Sequence, residues 1–154
     1  MAVDNVNHPS HYCKNKAGIE VIEVTAYLCF DLGNAFKYLA RYKMKNLPAE
    51  DVKKAVFYMK HFSENLNSMH TYVVCSEDEI PVLVKKMWKF CEVEDVHCVR
   101  RAMESITQAV IAEQDHIKPV KLPLLTEEQW KITIQALQNY AESITDKKPE
   151  DFNG

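Results

Sequence analysis

Apolar residues recur every three or four positions along most of this chain, which is the spacing of one buried helix face. The segment from Asp51 to Leu66 is a clear example, because Pro48 and Glu50 precede it and suit the first turn of a helix. Its apolar positions are Ala55, Met59, Phe62 and Leu66. The pattern predicts a helix with one buried face.

Two later segments carry both a start signal and a buried face. Ser76 and Glu79 have the spacing of a capping box, in which side chains and backbone satisfy each other at a helix start. Thr126 is the predicted cap of the last helix. The apolar faces that follow these caps are Ile80, Leu83, Met87 and Cys91 in the first helix, and Trp130, Ile134, Leu137, Ala141 and Ile144 in the second.

A narrow apolar seam is predicted between Glu94 and Ile117. Its members alternate spacings of three and four, which is typical of helices that pair within a bundle or between subunits. They are Val96, Val99, Met103, Ile106 and Val110. The seam therefore predicts a helix, and it raises the prospect of a homo-oligomer contact.

These elements together favour an all-α fold, a single-domain bundle of about six helices with an N-terminal polar loop. The 154 residues and the 47% hydrophobic content suit one domain spanning residues 1–154. Additional helices are expected over residues 66–146, and a flexible tail over 147–154. The stretch from Ile19 to Thr25 fits a helix or a strand equally well.

Charge and cysteine usage narrow the class of protein. Residues 1–62 hold nine Lys and Arg against six Asp and Glu, whereas residues 63–154 hold ten against sixteen. This local basic excess suits a small anion such as a nucleotide and is too small for a duplex nucleic-acid track. No apolar run is long enough to cross a membrane, and five irregularly spaced cysteines indicate reduced thiols, so we expect a cytoplasmic protein.

A cationic stripe is predicted between Leu32 and Asn46, where no acid occurs. If this segment is helical throughout, its polar residues share one face at spacings of three and four. A phosphate would explain these neighbouring positive charges, while a solvated helix face is the alternative. On the phosphate hypothesis, Arg41→Ala weakens nucleotide binding and leaves thermal stability nearly unchanged. The stripe consists of Asn34, Lys37, Tyr38, Arg41 and Lys45, with Lys43 nearby and Gly33 close to the helix start.

Further polar residues flank this stripe on both sides. In the N-terminal loop, His8 and His11 could shuttle protons, Ser10 could position a phosphate oxygen and Tyr12 could stack on a base. Cys13 makes a metal-ligand interpretation of the two histidines conceivable but weak, because no second cluster has zinc-site spacing. The other flanking groups are Glu20 and Glu23, which could bind a sugar hydroxyl, and Asp51, Lys54 and Tyr58, which form a second polar stripe.

The order of these motifs resembles a small phage-encoded family, which includes the podoviral deoxynucleoside monophosphate kinase that lacks a Walker A loop. The resemblance covers about residues 7–65. It rests on H-P-S-H-Y, then I-E-V-I-E-V, then G-N-x-x-K-Y-x-x-R-x-x-x-K, and finally D-x-x-K-A-x-x-Y, as these stand in the sequence from His8 to Tyr58.

The resemblance implies a helical domain that binds nucleotides and transfers a phosphoryl group from a nucleoside triphosphate to a deoxynucleoside monophosphate in the host-cell cytoplasm. The absence of G-x-x-x-x-G-K-[ST] from the sequence agrees with this, and the need for Mg²⁺ stays open. Two alternatives are a non-catalytic protein that sequesters a signalling nucleotide, and a helical interaction protein that uses the seam.

Overall fold

The computed structural model of the protein describes residues 6–9, 15–66, 71–114 and 127–152, and these ranges contain helices but no β-sheet. Six α-helices occur in them, which confirms the predicted all-α helical bundle. None of these helices is long and apolar enough to span a membrane. The helices are α1 Ile22–Thr25, α2 Phe30–Arg41, α3 Pro48–Glu64, α4 Ile80–Val93, α5 His97–Gln114 and α6 Glu127–Ser143.

Helices α2 and α3 form an antiparallel hairpin and pack against each other along their length. As predicted, Pro48 begins α3 and acidic residues occupy its first turn, where the helix dipole favours negative charge. The short helix α1 packs closely on α2, because a side chain at Gly33 would lie 3.1 Å from the Thr25 carbonyl oxygen. The uncertain stretch from Ile19 to Thr25 is therefore helical at its end, in α1.

The second half of the chain covers the hairpin. Helix α4 packs on α5, α5 packs on α6, and α6 packs on α3. Four residues of the predicted seam are buried inside the subunit, since Val99, Met103, Ile106 and Val110 are at most 1% exposed. These four are thus unavailable as a contact between subunits, whereas Val96, just before α5, is partly buried. The capping box of Ser76 and Glu79 is also confirmed, at the 3₁₀ turn before α4.

The turn after α2 is anchored in the second half of the chain. The Tyr42 hydroxyl lies 3.4 Å from Glu94 Oε1 and 3.3 Å from the Tyr140 hydroxyl. Lys43 Nζ donates a hydrogen bond to Glu94 Oε1 at 2.7 Å. Residues 149–152 form a 3₁₀ turn whose Phe152 lies edge-on to Tyr42. These contacts fix the end of the hairpin.

Trp130 gives a test of how α6 docks on the hairpin. Its ring is buried, and Nε1 donates a hydrogen bond to the Met59 carbonyl at 3.1 Å. We expect Trp130→Phe to lower the free energy of unfolding by about 1–3 kcal/mol, because the change removes the hydrogen bond and leaves a gap. Denaturant unfolding measures this. The half-buried Trp88 is the matched control, and an equal loss for Trp88→Phe would contradict the assignment.

Candidate functional site

Three cationic side chains lie around the ring of Tyr38 on the α2–α3 hairpin. Lys37 Nζ is 4.4 Å from the ring centroid, Arg41 Cζ is 4.7 Å away, and Lys54 Nζ is 5.7 Å away. All three distances fall within the range of cation–π attraction. The Tyr58 ring lies parallel to Tyr38 with centroids 6.0 Å apart. The structure thus brings five predicted residues together, and we call them the cation–aromatic cluster.

Arg41 is paired within this cluster, which corrects the expectation that the stripe has no acidic partner. Its Nε and Nη2 donate hydrogen bonds to the Asp51 carboxylate at 2.9 and 3.2 Å. Both residues are buried, with Arg41 8% and Asp51 3% exposed. The acid comes from the first turn of α3, just after the acid-free run. The ion pair of Arg41 and Asp51 therefore stabilises the hairpin without any ligand.

Lys37 is a half-buried cation of the cluster. Its Nζ donates a hydrogen bond to Asn34 Oδ1 at 2.8 Å, and Asn34 Nδ2 donates to the Phe30 carbonyl at 2.8 Å. Burial lowers the pKa of Lys37, and the neighbouring charge of Arg41 lowers it further. An anion beside Nζ would oppose both effects, because it stabilises the protonated amine. Lys37 is thus suited to bind a phosphate oxygen.

A cleft of about 260 Å³ opens beside Lys37. This volume lies just below the range of roughly 300–1,000 Å³ that is usual for small-molecule sites, so the cleft suits a phosphate and a sugar better than a whole nucleotide. Val6, Asn7 and Pro9 from the N-terminal loop and Lys37 from α2 line the same cleft. The lining residues are Val6, Asn7, Pro9, Glu20, Val21, Ile22, Thr25 and Lys37.

The two predicted carboxylates near the cleft have different partners. Glu20 lines the cleft, and its Oε1 lies 3.0 Å from Nδ1 of the exposed His8. Glu23 accepts a hydrogen bond from Lys86 of α4 at 3.0 Å, which lowers the pKa of Glu23. Glu20 therefore lines the cleft with His8 beside it, whereas Glu23 joins α1 to α4. Ser10, His11 and Tyr12 fall outside the residues that the structure describes, so their roles stay predictions.

The helix does not continue through the whole predicted stripe, and two residues near the stripe have other partners. Helix α2 ends at Arg41, and Lys45 follows a 3₁₀ turn in extended backbone, because Tyr42 turns inward to the core. Lys43 pairs with Glu94 and Asp95 of the α4–α5 junction. The Gly33 N–H donates to the Cys29 carbonyl at 2.8 Å, so it is engaged within the helix and not directed at a phosphate.

A histidine–carboxylate pair that the sequence did not reveal lies at the other end of the hairpin. His61 Nδ1 is 2.8 Å from Asp31 Oδ2, and the Asp31 side chain is buried while that of His61 is half exposed. The sequence signal was faint, because the two residues lie thirty positions apart. The pair of Asp31 and His61 joins the start of α2 to the end of α3. The pair of Arg41 and Asp51 joins the end of α2 to the start of α3.

Of the comparisons with known proteins, one gives a match, and it covers the part of the chain that carries the candidate site. Residues 6–60 match a family described as a protein of unknown function, DUF3310. No curated protein and no solved structure matches the chain. The matched range includes the cleft and the whole cation–aromatic cluster, and it ends just before His61. The shared sequence thus coincides with the site, and the covering helices α4 to α6 lie outside it.

The described ranges give no support for a resident metal. Within them, no three His, Cys, Asp or Glu side chains are placed to hold an ion. The weak metal-ligand interpretation of the N-terminal loop also needs His11 and Cys13, which lie outside those ranges. Four cysteines are free thiols, Cys29, Cys75, Cys91 and Cys98. The site therefore consists of cations, aromatic rings and one cleft.

Proposed function

We propose that the protein binds a nucleotide through its phosphates and transfers a phosphoryl group from a nucleoside triphosphate to a deoxynucleoside monophosphate. The observation that carries this proposal is the approach of Lys37, Arg41 and Lys54 to one tyrosine ring beside a cleft. The resemblance of residues 7–65 to phage nucleotide kinases supports the same reaction. The proposed setting is the cytoplasm of the host cell.

Phosphoryl transfer requires stabilisation of the negative charge on the phosphoryl oxygens and positioning of the reacting groups. In the transfer, the bond between the γ-phosphorus and its bridging oxygen breaks, and a phosphate oxygen of the acceptor bonds to that phosphorus. The donor leaves as a diphosphate. Lys37 and Lys54 would neutralise charge on the phosphoryl oxygens, and Asn34 would help to position them. The proposed proton-transfer residue is His8 or His11, with Ser10 at the phosphate and Tyr12 or Tyr38 at the base.

A nucleotide-binding protein without turnover is the second candidate. The cleft of about 260 Å³ favours it, because a kinase must hold two nucleotides at once and this volume suits part of one. Incubation of the protein and Mg²⁺ with γ-labelled triphosphate and a deoxynucleoside monophosphate separates the two candidates. Label in the deoxynucleoside diphosphate that forms from the acceptor supports the kinase. Binding of either nucleotide without transfer selects the second candidate, and the absence of binding contradicts both.

Lys37→Met is expected to weaken nucleotide binding by about 1.5–3 kcal/mol, the usual size of a hydrogen bond to a charged group. Methionine keeps the apolar stem of the side chain and removes the charge, so the fold should persist. Isothermal calorimetry measures the affinity. Lys53→Met is the matched control, because Lys53 lies exposed on α3 outside the cluster.

The pH dependence gives a second readout for Lys37. Its pKa is lowered from 10.5, and only the protonated amine attracts phosphate. Affinity should therefore be complete below the lowered pKa and fall as the pH rises through it, in the range beneath 10.5. Lys37→Met should lack this dependence. Equal affinities for the wild type, Lys37→Met and Lys53→Met would show that Lys37 is only a solvated side chain.

A further inference from the structure

Two exposed phenylalanine rings on the α2–α3 hairpin contact the same tyrosine ring. Phe30 is 73% exposed and Phe57 is 62% exposed. Both lie edge-on to the ring of Tyr58, with centroid distances of 5.6 and 5.2 Å. Single exposed apolar side chains are ordinary, but these rings come from two helices and join into one surface. The fold does not bury them, because α3 packs through Met59 and Phe62 on another face.

His61 extends this surface and is held in place. Its ring stacks on Phe57 with centroids 6.3 Å apart and planes 17° apart. Nδ1 of His61 lies at hydrogen-bond distance from Asp31 Oδ2, at 2.8 Å. The buried Asp31 thereby fixes the orientation of an exposed imidazole. We call Phe30, Phe57, Tyr58 and His61 the aromatic patch.

The aromatic patch is continuous with the cation–aromatic cluster. Tyr58 belongs to both, since its ring is parallel to Tyr38 and also contacts Phe30 and Phe57. Phe30 and Lys37 are seven residues apart on α2, which is about 10 Å along the helix axis. A single ligand that carries a planar ring and an anion could therefore contact both surfaces.

We propose that the nucleobase of the bound nucleotide stacks on the aromatic patch while its phosphate lies at Lys37. This inference rests on the proposed function and adds the place of the base. The cleft lies at the small end of the range for ligand sites, so the exposed rings on the same hairpin offer a surface for the base. Aromatic rings accept every base because each base has a π face. A second copy of the chain would cover the rings, but it would also bring like charges together.

Alanine variants of the exposed rings test the proposal. Calorimetry compares dGMP with pyrophosphate, a probe that has the charge but no base. Phe30→Ala and Phe57→Ala should each weaken dGMP binding by about tenfold and leave pyrophosphate binding unchanged. Ile132→Ala is the matched control, because Ile132 is also 62% exposed but lies on α6. Circular dichroism checks that each variant is folded.

Every other outcome contradicts the base site, the proposed function or both. If the wild type binds dGMP and the Phe30→Ala/Phe57→Ala variant binds it equally well, the base site is wrong and the proposed function stands. Equal weakening of both probes would also overturn the base site, because the patch would then act through the phosphate end. If the wild type binds neither probe, both proposals fail. A change of subunit number in sedimentation, with unchanged dGMP affinity, would assign the patch to a second copy instead.

Discussion

Replacement of Arg41 by alanine is expected to lower the free energy of unfolding by about 3–5 kcal/mol, the usual result of removing one member of a buried ion pair. Asp51, which is 3% exposed in the intact protein, would lose the guanidinium that donates two hydrogen bonds to it. This corrects the sequence-based expectation of nearly unchanged stability. Nucleotide binding should weaken as well, since a cation beside Tyr38 is lost. Urea unfolding gives the first quantity and calorimetry the second.

Two further variants make the Arg41 prediction specific. Arg101→Ala is the control, because Arg101 lies in an exposed pair with Glu104 and should cost at most about 1 kcal/mol. Arg41→Ala combined with Asp51→Ala should be destabilised less than the sum of the single changes, because no buried charge is left alone. Strictly additive single effects, or a wild-type stability for Arg41→Ala, would contradict the buried pair.

Met103→Asp is expected to unfold most of the protein. Met103 is 1% exposed in the seam of α5, so aspartate would place a carboxylate there without a partner. A loss of more than about 4 kcal/mol is a large part of the roughly 5–15 kcal/mol that holds a typical domain together. The melting temperature and the circular dichroism signal at room temperature measure the effect.

A conservative change at the same position isolates the charge. Met103→Leu keeps the volume and apolar character of the side chain, so its loss should stay below about 1.5 kcal/mol. If Met103→Asp retains the wild-type melting temperature, the seam is not buried in the subunit. If both variants unfold, tight packing at this position, and not the carboxylate, is responsible.

The helices could be predicted because their signals are local. The capping box of Ser76 and Glu79, the first turn at Pro48 and the buried face that includes Trp130 each depend on residues within a few positions of one another. The seam from Val96 to Val110 was also visible, but its spacing could not tell an internal contact from a contact between subunits. The packing of α5 on α4 and α6 shows that the contact is internal.

The electrostatic partners could not be predicted, because they come from other elements. Arg41 pairs with Asp51 across the hairpin, and Lys43 pairs with Glu94, which is fifty-one positions away. An acid-free run in the sequence therefore did not mean an acid-free surface. The end of α2 was missed for a similar reason, since Tyr42 leaves the helix to reach Glu94 and Tyr140 in the second half.

The aromatic patch was missed although part of its signal was present. Phe57 falls outside the spacing of Ala55, Met59 and Phe62, so the pattern already placed a large aromatic ring away from the core face. What the sequence did not show is that His61 stacks on this ring and that Phe30 contacts the neighbouring ring of Tyr58. The sequence signal for the patch was an aromatic residue away from the apolar face of its helix and close to a cationic stripe.

Calorimetry of the wild-type protein with a deoxynucleoside monophosphate and with the matching deoxynucleoside tests the central claim most directly. If the cation–aromatic cluster is a phosphate site, dGMP should bind at least about tenfold more tightly than deoxyguanosine, because one charge-assisted hydrogen bond contributes about 1.5–3 kcal/mol. Equal affinities for the two ligands, or no binding of either, would contradict the claim that this hairpin recognises a nucleotide through its phosphate.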